Sequence, residues 1–214
     1  MTRRWALALA VPPLVFLSLF FLWPVANILA LGLAPEGQLQ LGHVLRTWAE
    51  PFVVDIVVFT LALAGVSTLL TLLLGLPAAW IFARFEFPFK RAARALTVVP
   101  FVLPTVVVGS AFLALLGPRS PLNALGTALF GEAFPQVRLD GSVEAILIAH
   151  VFYNLAVIIR LVGGMWAHID PQAEEAARLL GASAWRTFRE VTWPLLRPAV
   201  ISAASIVFLF TVTS

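Results

Sequence analysis

The chain has 214 residues, of which 61% are apolar and only 12% are charged, with a net charge of +3. Soluble domains carry roughly a quarter of their residues as Asp, Glu, Lys and Arg, so half that share leaves too little polar surface to coat a particle in water. The mean hydropathy of +0.97 agrees, and lipid is the expected solvent for much of the chain. The basic excess flanks apolar runs instead of forming a patch interleaved with exposed aromatics, which fits anionic headgroups and argues against nucleic acid as a partner. The absence of cysteine removes disulfides, thiol nucleophiles and thiolate metal sites.

A helix needs about 20 apolar residues to cross the hydrocarbon core. The first such stretch is 5–31, following Arg3 and Arg4. It competes with a signal peptide, but the run is too long for a signal h-region and no clear small-x-small cleavage site follows, so a retained helix is expected. Further stretches at 56–82, 96–116 and 143–162 are nearly free of charge. All must be helices, because lipid offers peptide groups no partner and the short alternating segments of a barrel are missing. A fifth stretch, 195–214, begins beside Arg197 and Pro198 and stops without a flanking charge, as expected of a chain cut inside its fifth helix. The expected fold is an all-α integral membrane protein, a polytopic helical bundle of about five spans with the last truncated, forming one membrane domain over 1–214. Pro24, Pro100 and Pro104 are expected to kink or start helices within it.

Orientation follows from the basic residues of the loops. One set of alternate loops holds eleven: Arg3, Arg4, Arg84, Lys90, Arg91, Arg94, Arg160, Arg178, Arg186, Arg189 and Arg197. The other holds three, Arg46, Arg119 and Arg138. The asymmetry predicts a multi-pass protein with its N-terminus and residues 167–194 in the cytoplasm.

Residues 167–194 carry the densest local signals. Asp170-Pro171 reads as an N-cap followed by a residue with preset φ and no N–H to satisfy. Glu174 and Glu175 occupy the first turn, where the helix dipole favours acids. Ala173, Ala176, Ala177 and Leu180 recur at helical spacing as one small apolar face. Gly181 is placed to end this helix in a left-handed turn. Ser183 then caps a second helix through Trp185, Phe188 and Val191, which Trp193-Pro194 is expected to stop. A short helix, a glycine turn and a second helix result. An amphipathic hairpin on the headgroups would want large apolar residues, whereas alanines permit close approach to a protein groove.

Glu175-Ala176-Ala177, three residues, Gly181, nine residues and Val191-Thr192-Trp193-Pro194 resemble the EAA loop of binding-protein-dependent ABC importer permeases. Val191 and Trp193 stand where that pattern has Ile and Leu. Leu103-Pro104-Thr105 with Gly109, Ala149–Asn154, and Trp193–Arg197 running into Phe208-Leu209-Phe210 are similar to the iron(III) and thiamine branch of the family, in which one chain often carries two homologous halves. The resemblance implies a permease subunit that forms the translocation path and performs no chemistry. Cytoplasmic ATP-binding subunits would supply hydrolysis, and a periplasmic or lipoprotein binding protein would deliver iron(III) or thiamine. A second permease half, in the same chain or as a dimer partner, would complete the path in a bacterial inner membrane. Glu175, Ala176, Ala177, Gly181 and Pro194 would then be the segment coupled to the ATP-binding subunit. No cofactor is implied.

His150 and Asn154 share a face of the fourth stretch. Polar groups at that depth either line a path or hold helices together. The topology scatters His43, His150 and His168 over different depths, which argues against a metal site. A secondary transporter is the alternative, but it would need intramembrane acids for ion coupling, and Asp55 and Glu144 lie only at span boundaries.

Overall fold

The computed structural model describes residues 3–34, 41–139 and 141–214, and the described residues are helical apart from short connections. They fall into two compact units, residues 1–59 and 60–214. In the first, α1 (Arg3–Leu17) passes through a π-turn at Ser18–Leu22 into α2 (Trp23–Leu33), and α3 (Leu41–Ala49) follows. The π-turn directly precedes Trp23-Pro24, and the Trp23 N–H reaches back five residues to the Ser18 carbonyl. Widening a helix by one residue makes room for the proline ring, so the kink expected at Pro24 is absorbed without a break. Leu14, Phe16, Phe20, Phe21 and Ile28 are all exposed, as suits a helix solvated by lipid.

Helix α4 (Pro51–Arg84) continues into the second unit. Its buried positions are Ala64, Ser67, Thr71, Gly75 and Ala79, all small and spaced three or four apart. Without a hydrophobic drive between helices in lipid, close backbone approach is what holds them, and small residues permit it. Gly75 shows how close: a Cβ there would stand 2.7 Å from the Ile158 side chain.

The stretch expected as one span over 96–116 is three pieces: α5 (Lys90–Leu96), α6 (Val99–Val102) and α7 (Thr105–Leu116). Leu103 is extended at φ −75°, ψ 135°, and Pro104 has ψ 135°. The ring of Pro104 disfavours helical geometry in the residue before it, and its missing N–H removes a ladder bond. Among the described residues, four helical segments are long and apolar enough to span: Leu9–Leu33, Pro51–Arg84, Val143–His168 and Ala184–Val212.

The loop after α7 contains α8 (Pro121–Phe130), capped by Ser120. Buried Asn123 ties this loop together, its Oδ1 accepting from the Val137 N–H at 2.7 Å and its Nδ2 donating to the Val137 carbonyl at 2.8 Å. Helix α9 (Val143–His168) starts at the Ser142 cap, and α10 (Pro171–Leu179) follows it. The second helix expected from Ser183 is present, but Trp193-Pro194 does not stop it. Helix α11 (Ala184–Thr187) widens into a π-turn at Phe188–Thr192 and runs on as α12 (Trp193–Val212). The Trp193 N–H reaches the Phe188 carbonyl, the same solution as at Trp23-Pro24. The core of this unit joins Ala79 of α4, Ile158, Val162 and Trp166 of α9, and Leu196, Val200, Ala203 and Val207 of α12.

Candidate functional site

The segment singled out by its motif lies beyond the C-terminal end of α9, and the Asn123 loop precedes the N-terminal end of the same helix. Asp170 caps α10, its carboxylate accepting from the Gln172 N–H at 2.9 Å. The helix ends in a Schellman turn, in which the Ala182 N–H donates to the Ala177 carbonyl and the Gly181 N–H to the Arg178 carbonyl. Gly181 has φ +87° with open space around a would-be Cβ, so its glycine is required by backbone geometry and not by crowding. Ser183 caps the next helix.

No residue of α10 is buried. Glu174 and Ala177 turn partly inward, while Ala173, Glu175 and Ala176 are exposed. Leu180 is 89% exposed, so the small apolar face expected from the spacing, Ala177 excepted, points away from the chain's own core. Pro194 is exposed in the first turn of α12. Phe188 anchors the second helix: its ring lies 6.3 Å from Trp166, 5.7 Å from Trp185 and 6.2 Å from Trp193.

The acid that engages the rest of the chain is Glu174. Its Oε1 accepts from Arg84 Nη2 at 2.5 Å and from Thr192 Oγ1 at 2.7 Å. These groups border a cleft of about 290 Å³ shared with Trp80, Trp166 and Phe188. Sequence reasoning placed Glu174 in the dipole-favoured first turn and did not foresee these partners. Arg84 is 90 positions away in the chain, and no local signal pairs the two. Near Arg84, the Glu86 carboxyl is held below the usual carboxylate range by a hydrogen bond from Lys90 and by that residue's charge.

His150 and Asn154 are buried and form a polar junction. Ser67 Oγ lies 2.8 Å from His150 Nδ1 and Ser214 Oγ lies 2.9 Å from His150 Nε2, so α4, α9 and the C-terminal residues meet at one ring. Asn154 Nδ2 donates to the His150 carbonyl. Among the described residues, no three His, Cys, Asp or Glu side chains cluster as a metal site would require.

Long apolar helices, a buried polar junction between them and an exposed short helix between two of the spans define a polytopic membrane component. The chain belongs to the family of binding-protein-dependent transport system inner membrane components, whose model matches residues 71–214. It is 32% identical over 161 residues, 75% of its length, to a probable sulfate transport system permease protein of Chlorokybus atmophyticus. Over 153 residues, 72% of its length, it is 35% identical to the molybdenum transport system permease protein of Azotobacter vinelandii. The sulfate transport system permease protein of Escherichia coli is 29% identical over 91% of this chain. The chain spans 54%, 66% and 67% of these three relatives respectively. The crystal structure of a bacterial alginate ABC transporter, in complex with an alginate-bound periplasmic protein, superposes with a TM-score of 0.71 at 18% identity, covering 92% of this chain and 69% of that one. That likeness shows the fold.

These relatives are named for sulfate and molybdenum, which corrects the iron(III) and thiamine branch expected above. The strings behind that expectation are helix-packing and helix-breaking segments: Leu103-Pro104 is the break between α6 and α7, and His150 and Asn154 bond to neighbouring helices and to the backbone. Such segments serve architecture and do not report cargo.

Proposed function

We propose that the chain is the membrane-spanning permease subunit of an ATP-driven importer, with α10 and the turn at Gly181 seated on a cytoplasmic ATP-binding subunit. The observation that carries this reading is α10 itself, which buries none of its residues and leaves Ala173, Glu175 and Ala176 exposed. Small side chains on the outer face of a well-capped helix permit close approach by a protein groove, whereas a helix lying on headgroups wants large apolar residues there. Glu175, Ala176, Ala177 and Gly181 form the proposed contact, and Pro194 lies in the first turn of α12, the helix that the contact moves. Hydrolysis belongs to the partner, because moving a preformed cargo requires no bond to be made here.

The 11:3 division of basic residues supports a cytoplasmic N-terminus and a cytoplasmic α10 in an inner membrane. A cargo-loaded binding protein then docks at the other end of α9, where the loop ordered by Asn123 lies, and a second permease half completes the path. Cargo is proposed from the relatives' names to be a tetrahedral oxyanion, sulfate or molybdate. His150 and Asn154 act by holding helices around the path, a role supported by serine hydroxyls at both ring nitrogens.

The test is co-purification with the ATP-binding subunit, together with cargo-stimulated ATP hydrolysis, for Gly181→Val, Glu175→Lys and Gln172→Ala. Forcing a β-branched residue to φ +87° costs about 1–3 kcal/mol. Gly181→Val and Glu175→Lys are expected to lose association at normal membrane abundance, and Gln172→Ala to keep it. Normal association in the first two removes the case for docking here. Orientation is checked with Ser183→Cys on the natural cysteine-free background: an impermeant reagent labels it only after the membrane is opened.

A further inference from the structure

Helix α10 has a mechanical problem. Packing grips α10 only weakly, since none of its residues is buried and only Glu174 and Ala177 turn partly inward, yet a displacement imposed on it must reach the spans if it is to do work. Among the described residues, the side-chain hydrogen bonds from α10 to other helices both converge on Glu174 Oε1. Arg84, the last residue of α4, provides one. Thr192, buried at the junction of the π-turn and α12, provides the other. The ion pair is sheltered, its side chains 22% and 16% exposed for Arg84 and Glu174, so water competes weakly for it and salt screens it little.

We propose that Glu174 is the positioning residue that fastens α10 to the ends of two spans at once, so that a movement of α10 carries α4 and α12 with it. The neighbouring acids thereby divide the work: Glu175 faces outward toward a partner, and Glu174 faces inward as the link. The geometry suits the task. One carboxylate oxygen shared by two donors fixes α10 relative to both helices. Each of those helices is gripped farther along by close packing, α4 through Gly75 and Ala79 and α12 through Leu196 and Val200. Rigid elements tied at their ends pass on a displacement that loosely tethered ones dissipate. Replacing the carboxylate should leave docking and hydrolysis in place and lose the transfer of motion.

This inference rests on the reading that α10 docks on an ATP-binding subunit, and the experiment separates the two. The complete transporter, with its ATP-binding subunits and binding protein, is reconstituted in liposomes with radiolabelled sulfate and molybdate as probes. The quantity read is anion imported per ATP hydrolysed, which a loss of abundance or assembly alone does not move. Glu174→Ala is expected to co-purify with the ATP-binding subunit and to hydrolyse ATP, while the ratio falls about tenfold, the scale of a lost charge-assisted bond. Thr192→Val, losing one of the two donors, should fall less. The exchange of partners, Glu174→Arg with Arg84→Glu, should recover at least half of the natural ratio. An unchanged ratio in Glu174→Ala beside a working natural complex overturns the inference alone. If Glu174→Ala is lost from the membrane, the exchange decides: recovery upholds the link and no recovery overturns it. A natural complex that fails to assemble overturns the docking reading, and the link with it.

Discussion

Two pairs of prolines four residues apart, Pro100 and Pro104 within the third apolar stretch and Pro194 and Pro198 at the start of the fifth, fold differently. The first pair starts and ends a four-residue helix, with Leu103 extended between it and α7. The second pair sits inside a helix that runs unbroken to Val212. The local penalty is similar, since an interior proline removes a ladder bond and crowds the preceding turn at a cost of about 3 kcal/mol. Two differences decide the outcome. Upstream of Pro194 the chain widens into a π-turn, which makes room for the ring. On both sides of Pro198, α12 lays side chains against the bundle, Leu196 before it and Val200, Ala203, Val207 and Thr211 after it, and that burial offsets what the prolines cost. Among its described side chains, α7 buries Val108 alone. Proline therefore marks where a helix can break, and packing determines whether it does.

The comparison breaks most visibly through its packed side. Leu196 is 1% exposed and lies in the core, whereas Leu113 of α7 is 59% exposed. Leu196→Ala is expected to cost about 2–4 kcal/mol through lost contacts and a residual cavity, while Leu113→Ala stays within about 0.5 kcal/mol. Thermal unfolding of the purified protein in detergent measures both. Equal losses would mean that α12 is not held by its buried face. A smaller effect tests the break itself. Pro104→Ala restores the missing N–H, and α6 and α7 should then fuse into one helix. Spin labels at Val99 and Val106, both exposed, would approach a spacing of about 10 Å along the axis, the rise of seven helical residues. An unchanged spacing would show that the break is imposed from outside the proline. The smallest effect is expected at Pro194→Ala. The π-turn already accommodates the ring, so unfolding should shift by less than about 0.5 kcal/mol, and the helix should remain continuous. A large loss there would make Pro194 a structural requirement and undo the parallel with Trp23-Pro24.

What the sequence determined by itself is whatever depends on short range or on solvent. Apolar length set the long helices, because a backbone in lipid has no other way to satisfy its polar groups. The Asp170 and Ser183 caps and the positive φ at Gly181 were legible because each depends on bonds within a few residues. The EAA spacing pointed to the family for the same reason. Only the tertiary structure decided the rest. The small-residue face of α4 reads in sequence as an apolar run like any other, and Gly75 and Ala79 acquire their role from Ile158 and Gly163 lying against them. Glu174 and Glu175 are adjacent acids that the sequence assigns together to the start of α10, though only Glu174 falls in its first turn. The fold turns one toward Arg84 and Thr192 and leaves the other exposed. His150 likewise gains its meaning from Ser67, 83 residues away. In each case the deciding partner is distant in the chain, and chain proximity carries no information about which faces meet when helices with few polar groups pack together in lipid.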